Sequence, residues 1–199
     1  RGDGLKSTLG GLTYPIHFLD FETVGPALPL YAGTRPYRQI PFQWSIHTLS
    51  STGELEHSEY LHDGADDPRA PLAARMLEAL GTRGSIMVYT GFEEARIKEM
   101  SEALPQHRDS LLGLVDRLFD LHKVLNAHYY HPEFHGSWSI KSVLPALVPG
   151  FGYSDLDIKD GTLASLSFSH MVLSGLPDQE KDELRTSLLA YCKRDTEAM

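Results

Sequence analysis

Residues 16–22, Ile-His-Phe-Leu-Asp-Phe-Glu, place two acids inside an apolar run, and few folds can accommodate that. The run reads as a core strand. Its period of two puts Phe18, Asp20 and Glu22 on one face and His17, Leu19 and Phe21 on the other. A buried carboxylate costs several kcal/mol unless a cation or hydrogen-bond donors compensate it, so two on one face of a central strand point to a divalent metal ion. An edge strand with a solvated face accounts for the same residues by exposing both acids harmlessly.

The rest of the chain sets the frame for that strand. A stretch rich in Pro and Gly, 25–41, is too punctuated for a regular element and long enough to be a functional loop. Strands are expected over 42–50 and 55–62, joined by the turn residues Ser51 to Glu54, which completes an antiparallel meander. From Pro71 the pattern alternates: helix over 71–80, strand over 85–90, helix over 92–104, helix over 107–118, and 119–125 as a fifth strand or a continuation of that helix. Helical segments at 139–148, 161–175 and 177–199 close the chain. A meander followed by alternating helix and strand implies an α/β architecture.

Composition narrows the function classes. With 18 Lys+Arg against 27 Asp+Glu, the net charge of -9 argues against a domain that coats duplex DNA by neutralising phosphates, but not against a nuclease whose acids hold cations. The lone Cys192 excludes a disulfide framework, which fits a reducing, cytoplasmic compartment. No apolar run approaches the roughly 20 residues of a membrane span, and the opening RGDGLKST lacks the layout of a secretion signal. The chain starts without Met and stops at Met199 in a helix-favouring segment. We therefore expect residues 1–13 to be an N-terminal extension and 14–199 to be one domain, cut from a longer chain within its C-terminal helix.

Two further constellations carry chemistry. In Tyr-Cys-Lys-Arg-Asp, Tyr191 and Asp195 are four apart and share a helix face; a half-buried Tyr beside a surface Asp explains the pair equally well. Val-Tyr-Thr-Gly-Phe-Glu-Glu, 88–94, puts Glu93 at a strand-to-helix junction, where α/β sheets build their sites. Thr90 and Glu93 also have the spacing of a capping box, in which both side chains merely satisfy backbone N–H groups.

Taken in order, these three segments resemble the motifs of the DEDD superfamily of 3′→5′ exonucleases. Asp-Phe-Glu-Thr is similar to the first motif, Val-Tyr-Thr-Gly-Phe-Glu-Glu to the second, and Tyr-Cys-Lys-Arg-Asp to the third in its tyrosine branch. Phe-Asp-Leu-His-Lys-Val-Leu (119–125) and the helix after Gly136 resemble the connecting segments. The stretch from Gly136 to Ala164 also looks like an uncharacterised bacterial domain family grouped with these enzymes. The resemblance covers roughly residues 14–199 and departs from the pattern at Glu93, where the superfamily usually has Asp. It implies a ribonuclease H-like three-layer fold, with helices flanking a central mixed five-stranded sheet whose first three strands are antiparallel.

The resemblance also implies a chemistry. Asp20, Glu22 and Asp195 would hold one Mg²⁺ or Mn²⁺, with Asp20 bridging to a second ion assisted by Glu93; Glu94 and Asp120 stand behind Glu93 as substitutes. Tyr191, with a usual pKa of about 10, suits a hydrogen-bonding role better than that of a base. The implied partner is the 3′ end of single-stranded DNA or RNA. Candidate substrate contacts are Thr23, then Arg35, Tyr37 and Arg38 in the long loop, where Tyr31 adds another aromatic, and Trp138 and Lys141 further on.

Two rival classes remain open at this point. One is a binding module that kept the nuclease fold without catalysis, motivated by the altered second motif. The other is a zinc hydrolase built on His122, His128, His131 and His135, four of the chain's 10 His, although Pro132 and Gly136 break their spacing.

Overall fold

The computed structural model describes residues 4–199; residues 1–3 of the expected N-terminal extension lie outside the described residues. The elements in order are α1 (Gly4–Leu9), β1 (Ile16–Val24), β2 (Ile40–Leu49), β3 (Leu55–Leu61), α2 (Arg69–Leu80), β4 (Ser85–Val88), α3 (Phe92–Ala103), α4 (Arg108–Val115), β5 (Leu118–Asp120), α5 (Leu121–His128), α6 (Ile140–Leu147), α7 (Gly161–Leu173) and α8 (Asp178–Glu197). The five strands form one sheet in the order β3-β2-β1-β4-β5. Pairing is antiparallel between β1 and β2 and between β2 and β3, and parallel from β1 to β4 and from β4 to β5.

β1 is therefore the central strand, and the edge-strand alternative for Asp20 and Glu22 does not apply. The alternation read from its sequence is kept. Leu19 and Phe21 pack with Trp44 and Ile46 against Leu72, Met76, Ile97, Met100, Leu111 and Leu114 of α2, α3 and α4. On the opposite face, Val24, Ile40 and Phe42 pack with Leu144, Phe168, Leu188 and Tyr191 of α6, α7 and α8. Helices thus cover both faces, giving the three-layer, ribonuclease H-like α/β fold.

One irregularity assigns β2 to both cores. The β1–β2 register shifts between Glu22, opposite Gln43, and Thr23, opposite Pro41, leaving Phe42 as an extra residue on β2. A bulge of this kind turns the strand's side chains over. Trp44 and Ile46 consequently face α2, whereas Phe42 faces α7 and stacks on Phe168 at a centroid distance of 3.9 Å. The strand begins at Ile40, two residues before the sequence places it, because Pro41 sits at the irregularity and needs no ladder hydrogen bond.

The ambiguous segment 119–125 resolves into the short β5 and the separate helix α5, with Asp120 as N-cap accepting from the Lys123 backbone N–H at 3.0 Å. The capping box at Thr90 and Glu93 does not form. Gly91 is the N-cap of α3, and Thr90 Oγ1 accepts instead from the backbone N–H of Phe92. Glu93 is buried. Among the described residues, no helix is long and apolar enough to cross a membrane.

Candidate functional site

Asp20 and Glu22 project from the middle and far end of β1 on the face covered by α7 and α8. Glu93 enters from the first turn of α3, just past the end of β4. Tyr191 and Asp195 share one face of α8 near its C-terminal end. All five line one cavity of about 870 Å³, within the roughly 300–1,000 Å³ usual for ligand sites, together with Thr23, Trp138 and Lys141. Glu22, Glu93, Tyr191 and Asp195 are buried and Asp20 is partly so.

β2 fixes α8 over β1. Gln43 Nε2 donates to the Leu188 carbonyl at 2.8 Å, and Thr196 Oγ1 is shared by Ser45 Oγ and His47 Nδ1, each at 2.8 Å. Ser45 and Gln43 are the cross-strand partners of Asp20 and Glu22. The ladder that spaces the two strand acids therefore also anchors the helix that brings Asp195.

Four carboxylates lining one cavity repel one another when ionised. Burial, then the neighbouring Asp195, Glu93 and Glu22, drive Asp20 well above its ordinary range. Burial and Asp195 do the same to Glu22, against the pull of Lys141. Glu93 is pushed up to about 8, chiefly by burial, and Asp195 to about 6 by burial, against the hydrogen bonds of Tyr153 and Tyr191 and the charge of Lys141. Glu93 Oε2 is buried with no hydrogen-bond partner. Lys141 is the one Lys or Arg among the described residues lining the cavity, and its Nζ already donates to Tyr191 Oη at 3.0 Å and to the Lys159 carbonyl. The pocket is short of positive charge, and its donors are the oxygens that hard divalent cations prefer.

The ligand atoms lying within 4.8 Å of one another come from Asp20, Glu22 and Cys192, a buried acidic and thiol cluster able to coordinate a metal. Asp195 lines the same cavity but lies outside that set; its Oδ1 accepts from the buried phenol of Tyr153 at 2.6 Å. Cys192 Sγ lies 3.7 Å from Asp20 Oδ2. His122, His128, His131 and His135 supply no group of three ligand atoms within that distance among the described residues.

The structure disperses the remaining candidates. Glu94 pairs with Lys98 on the exposed side of α3, and Asp120 pairs with Lys123 besides capping α5; neither lines the cavity. In the long loop Arg38 turns to Glu99 at 3.7 Å and Glu102 at 4.0 Å, while Arg35 and the exposed Tyr37 stand away from the pocket. Tyr31 is buried in the core under α7 and α8. The loop reaches the cavity through Gly25 and Gln39 instead, and Thr23 Oγ1 donates to Gln39 Oε1 at 2.7 Å. Tyr153 and Cys192 are the contributors that sequence reasoning missed. Cys192 lies inside the Tyr-x-x-x-Asp motif, whereas nothing in the spacing of Tyr153 marks it.

Comparison with known proteins adds a family. The family model described as "Domain of unknown function (DUF2779)" matches residues 17–139. The chain belongs to this family. The DUF2779 match takes in Asp20, Glu22, Glu93 and Trp138 and ends before Lys141, Tyr153, Tyr191 and Asp195. Among curated proteins the chain is similar to "Uncharacterized protein MG366" of Mycoplasma genitalium, 23% identical over 218 residues, and to its homolog in Mycoplasma pneumoniae, 24% identical over 218 residues. Each alignment covers 100% of this chain and 33% of the relative, so the chain spans about a third of the length of these relatives. No solved structure matches the chain.

Proposed function

We propose that this domain is a metal-dependent 3′→5′ exonuclease of the DEDD type, hydrolysing phosphodiester bonds of single-stranded nucleic acid. The observation that carries the reading is the meeting of Asp20, Glu22, Glu93 and Asp195, from three separate parts of the chain, in one cavity where Lys141 is the one Lys or Arg among the described residues. Asp20, Glu22 and Asp195, with Glu93, would hold two Mg²⁺ or Mn²⁺ ions, and the unpartnered Glu93 Oε2 gives that role an open oxygen. Such ions supply Lewis acidity, activating a water and neutralising charge on the leaving oxygen.

The chain's own residues have definable tasks in this reading. Tyr191 Oη accepts from Lys141, so its own proton is turned towards the Asp195 side of the pocket, and burial, then the neighbouring acids, raise its pKa. It acts as a hydrogen-bond donor that orients water, not as a base. Tyr153 holds the Asp195 carboxylate in one orientation. Residues 14–199 are the nuclease-like unit of a longer protein, and a cytoplasmic setting suits the free thiol of Cys192.

A time course with 5′-labelled single-stranded DNA and RNA in Mn²⁺, run beside Asp195→Asn, tests the reading. A ladder shortening from the 3′ end that vanishes in the variant is expected. Equal degradation by both proteins would assign the activity to a contaminant.

A second reading has its own observation. The atoms gathered within 4.8 Å belong to Asp20, Glu22 and Cys192, while Asp195 is occupied by Tyr153, an arrangement that also suits a nuclease-fold module that binds nucleic acid without cutting it. Calorimetry separates the two: binding of single strands without measurable Mn²⁺ affinity favours the module.

A further inference from the structure

The segment between α6 and α7, residues 148–160, belongs to neither helix, yet it reaches two charged groups of the acidic cavity. The Tyr153 phenol donates to Asp195 Oδ1, and the Lys159 carbonyl accepts from Lys141 Nζ. The Tyr153 ring centre also lies 5.3 Å from that ammonium, so one side chain touches both the cavity's cation and one of its acids. A loop lacks the ladder that keeps a strand side chain in register. The aim of Tyr153 therefore depends on what ties the loop to its neighbours.

The side-chain ties that flank Tyr153 come from one residue of α8. Arg194 grips both oxygens of Asp155, Nη1 donating to Oδ1 at 3.1 Å and Nη2 to Oδ2 at 2.9 Å, and Nη1 also donates to the Gly152 carbonyl. Its guanidinium carbon stands 5.0 Å from the centre of the Phe151 ring, and its Nε lies 3.5 Å from Glu197 Oε2. Consecutive residues of a helix point about 100° apart. One turn of α8 thus meets the loop twice, with Asp195 against Tyr153 and Arg194 against the residues on either side of it.

An isolated surface ion pair contributes little. This contact is of another kind, because the Arg194 side chain is only 18% exposed and its planar fork is matched to a carboxylate, a backbone carbonyl and a ring at once. Such a contact fixes a direction as well as a distance.

We infer that Arg194 is a positioning residue for the acidic site, holding the loop so that Tyr153 keeps the Asp195 carboxylate aimed into the cavity. The assignment rests on the metal-dependent reading of that cavity. Arg194 touches no group of the cavity itself in this role; it acts through Tyr153.

A double-mutant cycle read by Mn²⁺ calorimetry tests it. Arg194→Ala should raise the Kd for Mn²⁺ roughly tenfold, as loss of a group orienting a ligand does. In the Tyr153→Phe background the same substitution should add almost nothing, because the residue through which it acts has already lost its hydroxyl. General loosening of the fold would instead add to the effect of Tyr153→Phe. Should Arg194→Ala fold poorly by circular dichroism, Asp155→Asn decides: the Asp155 side chain is 61% exposed, and its substitution should raise Kd severalfold in the wild-type background and not in Tyr153→Phe. An unchanged Kd in the folded single variant, or effects that multiply to about a hundredfold in the double variant, overturns the positioning role while leaving the proposed function intact. Absence of Mn²⁺ binding by the wild-type chain overturns both.

Discussion

The phenol of Tyr153 donates to Oδ1 of Asp195 across 2.6 Å, tying the loop before α7 to the last turns of α8. It is the main hydrogen bond that keeps this acid from rising further, and it fixes the direction in which the carboxylate faces the cavity. Tyr153→Phe should cost about 1.5–3 kcal/mol in urea unfolding, the usual value of a hydrogen bond to a charged group. It should also weaken Mn²⁺ binding by about tenfold in calorimetry, as loss of a group orienting a ligand does.

Metal-free stability should fall as pH rises from about 6.5 to 8. Asp20, Glu22 and Glu93 have folded pKa values above their unfolded ones, so the folded state keeps protons that the unfolded chain has released. Their contribution is complete below about pH 4 and disappears as pH climbs through the folded values, about 8 for Glu93. Below 6.5 the buried His17 and His47 and the half-buried His57, all lowered by desolvation, act in the opposite sense, which confines the clean window to the upper range. Thermal melts in EDTA should show the decline, Glu93→Gln should flatten it, and added Mn²⁺ should reverse it.

Asp20→Asn should stabilise the metal-free chain. It removes a carboxyl whose ionisation is opposed by burial and by Asp195, Glu93 and Glu22, for a gain of about 1 kcal/mol or more and a Tm rise of roughly 2–4 °C at neutral pH. The same substitution should abolish the Mn²⁺-dependent increase in Tm. A variant that is destabilised without metal, or still stabilised by it, would remove Asp20 from the centre of the cluster.

Phe42→Ala tests the β2 irregularity. The ring is fully buried and stacked on Phe168, so truncation should cost about 3–5 kcal/mol. The loss should fall on the core under α7 and α8, and near-ultraviolet circular dichroism of Trp44, which belongs to the other core, should change little in the folded variant.

Much of this architecture is legible in the sequence because periodicity is local. The alternation of 16–22 gives β1 and both faces of it, and the spacing of Tyr191 and Asp195 gives their common helix face. The cavity residues outside those motifs are harder to see. Tyr153 lies in an irregular loop 42 positions from its partner, and Arg38 reads as a phosphate contact until Glu99 is found beside it. The bulge leaves only Pro41 as a trace, a residue that equally marks a loop. In each case the deciding neighbour is remote in the chain, and no local pattern encodes it.

The anchoring of α8 through Gln43, Ser45 and His47 makes β2 the jig on which the whole acidic pocket is assembled. A change on that strand can detune the spacing between Asp20 and Asp195 while leaving every pocket-lining side chain in place. Loss-of-function substitutions in related chains should therefore gather along β2 as well as at the carboxylates, and inspection of the cavity alone would pass over them.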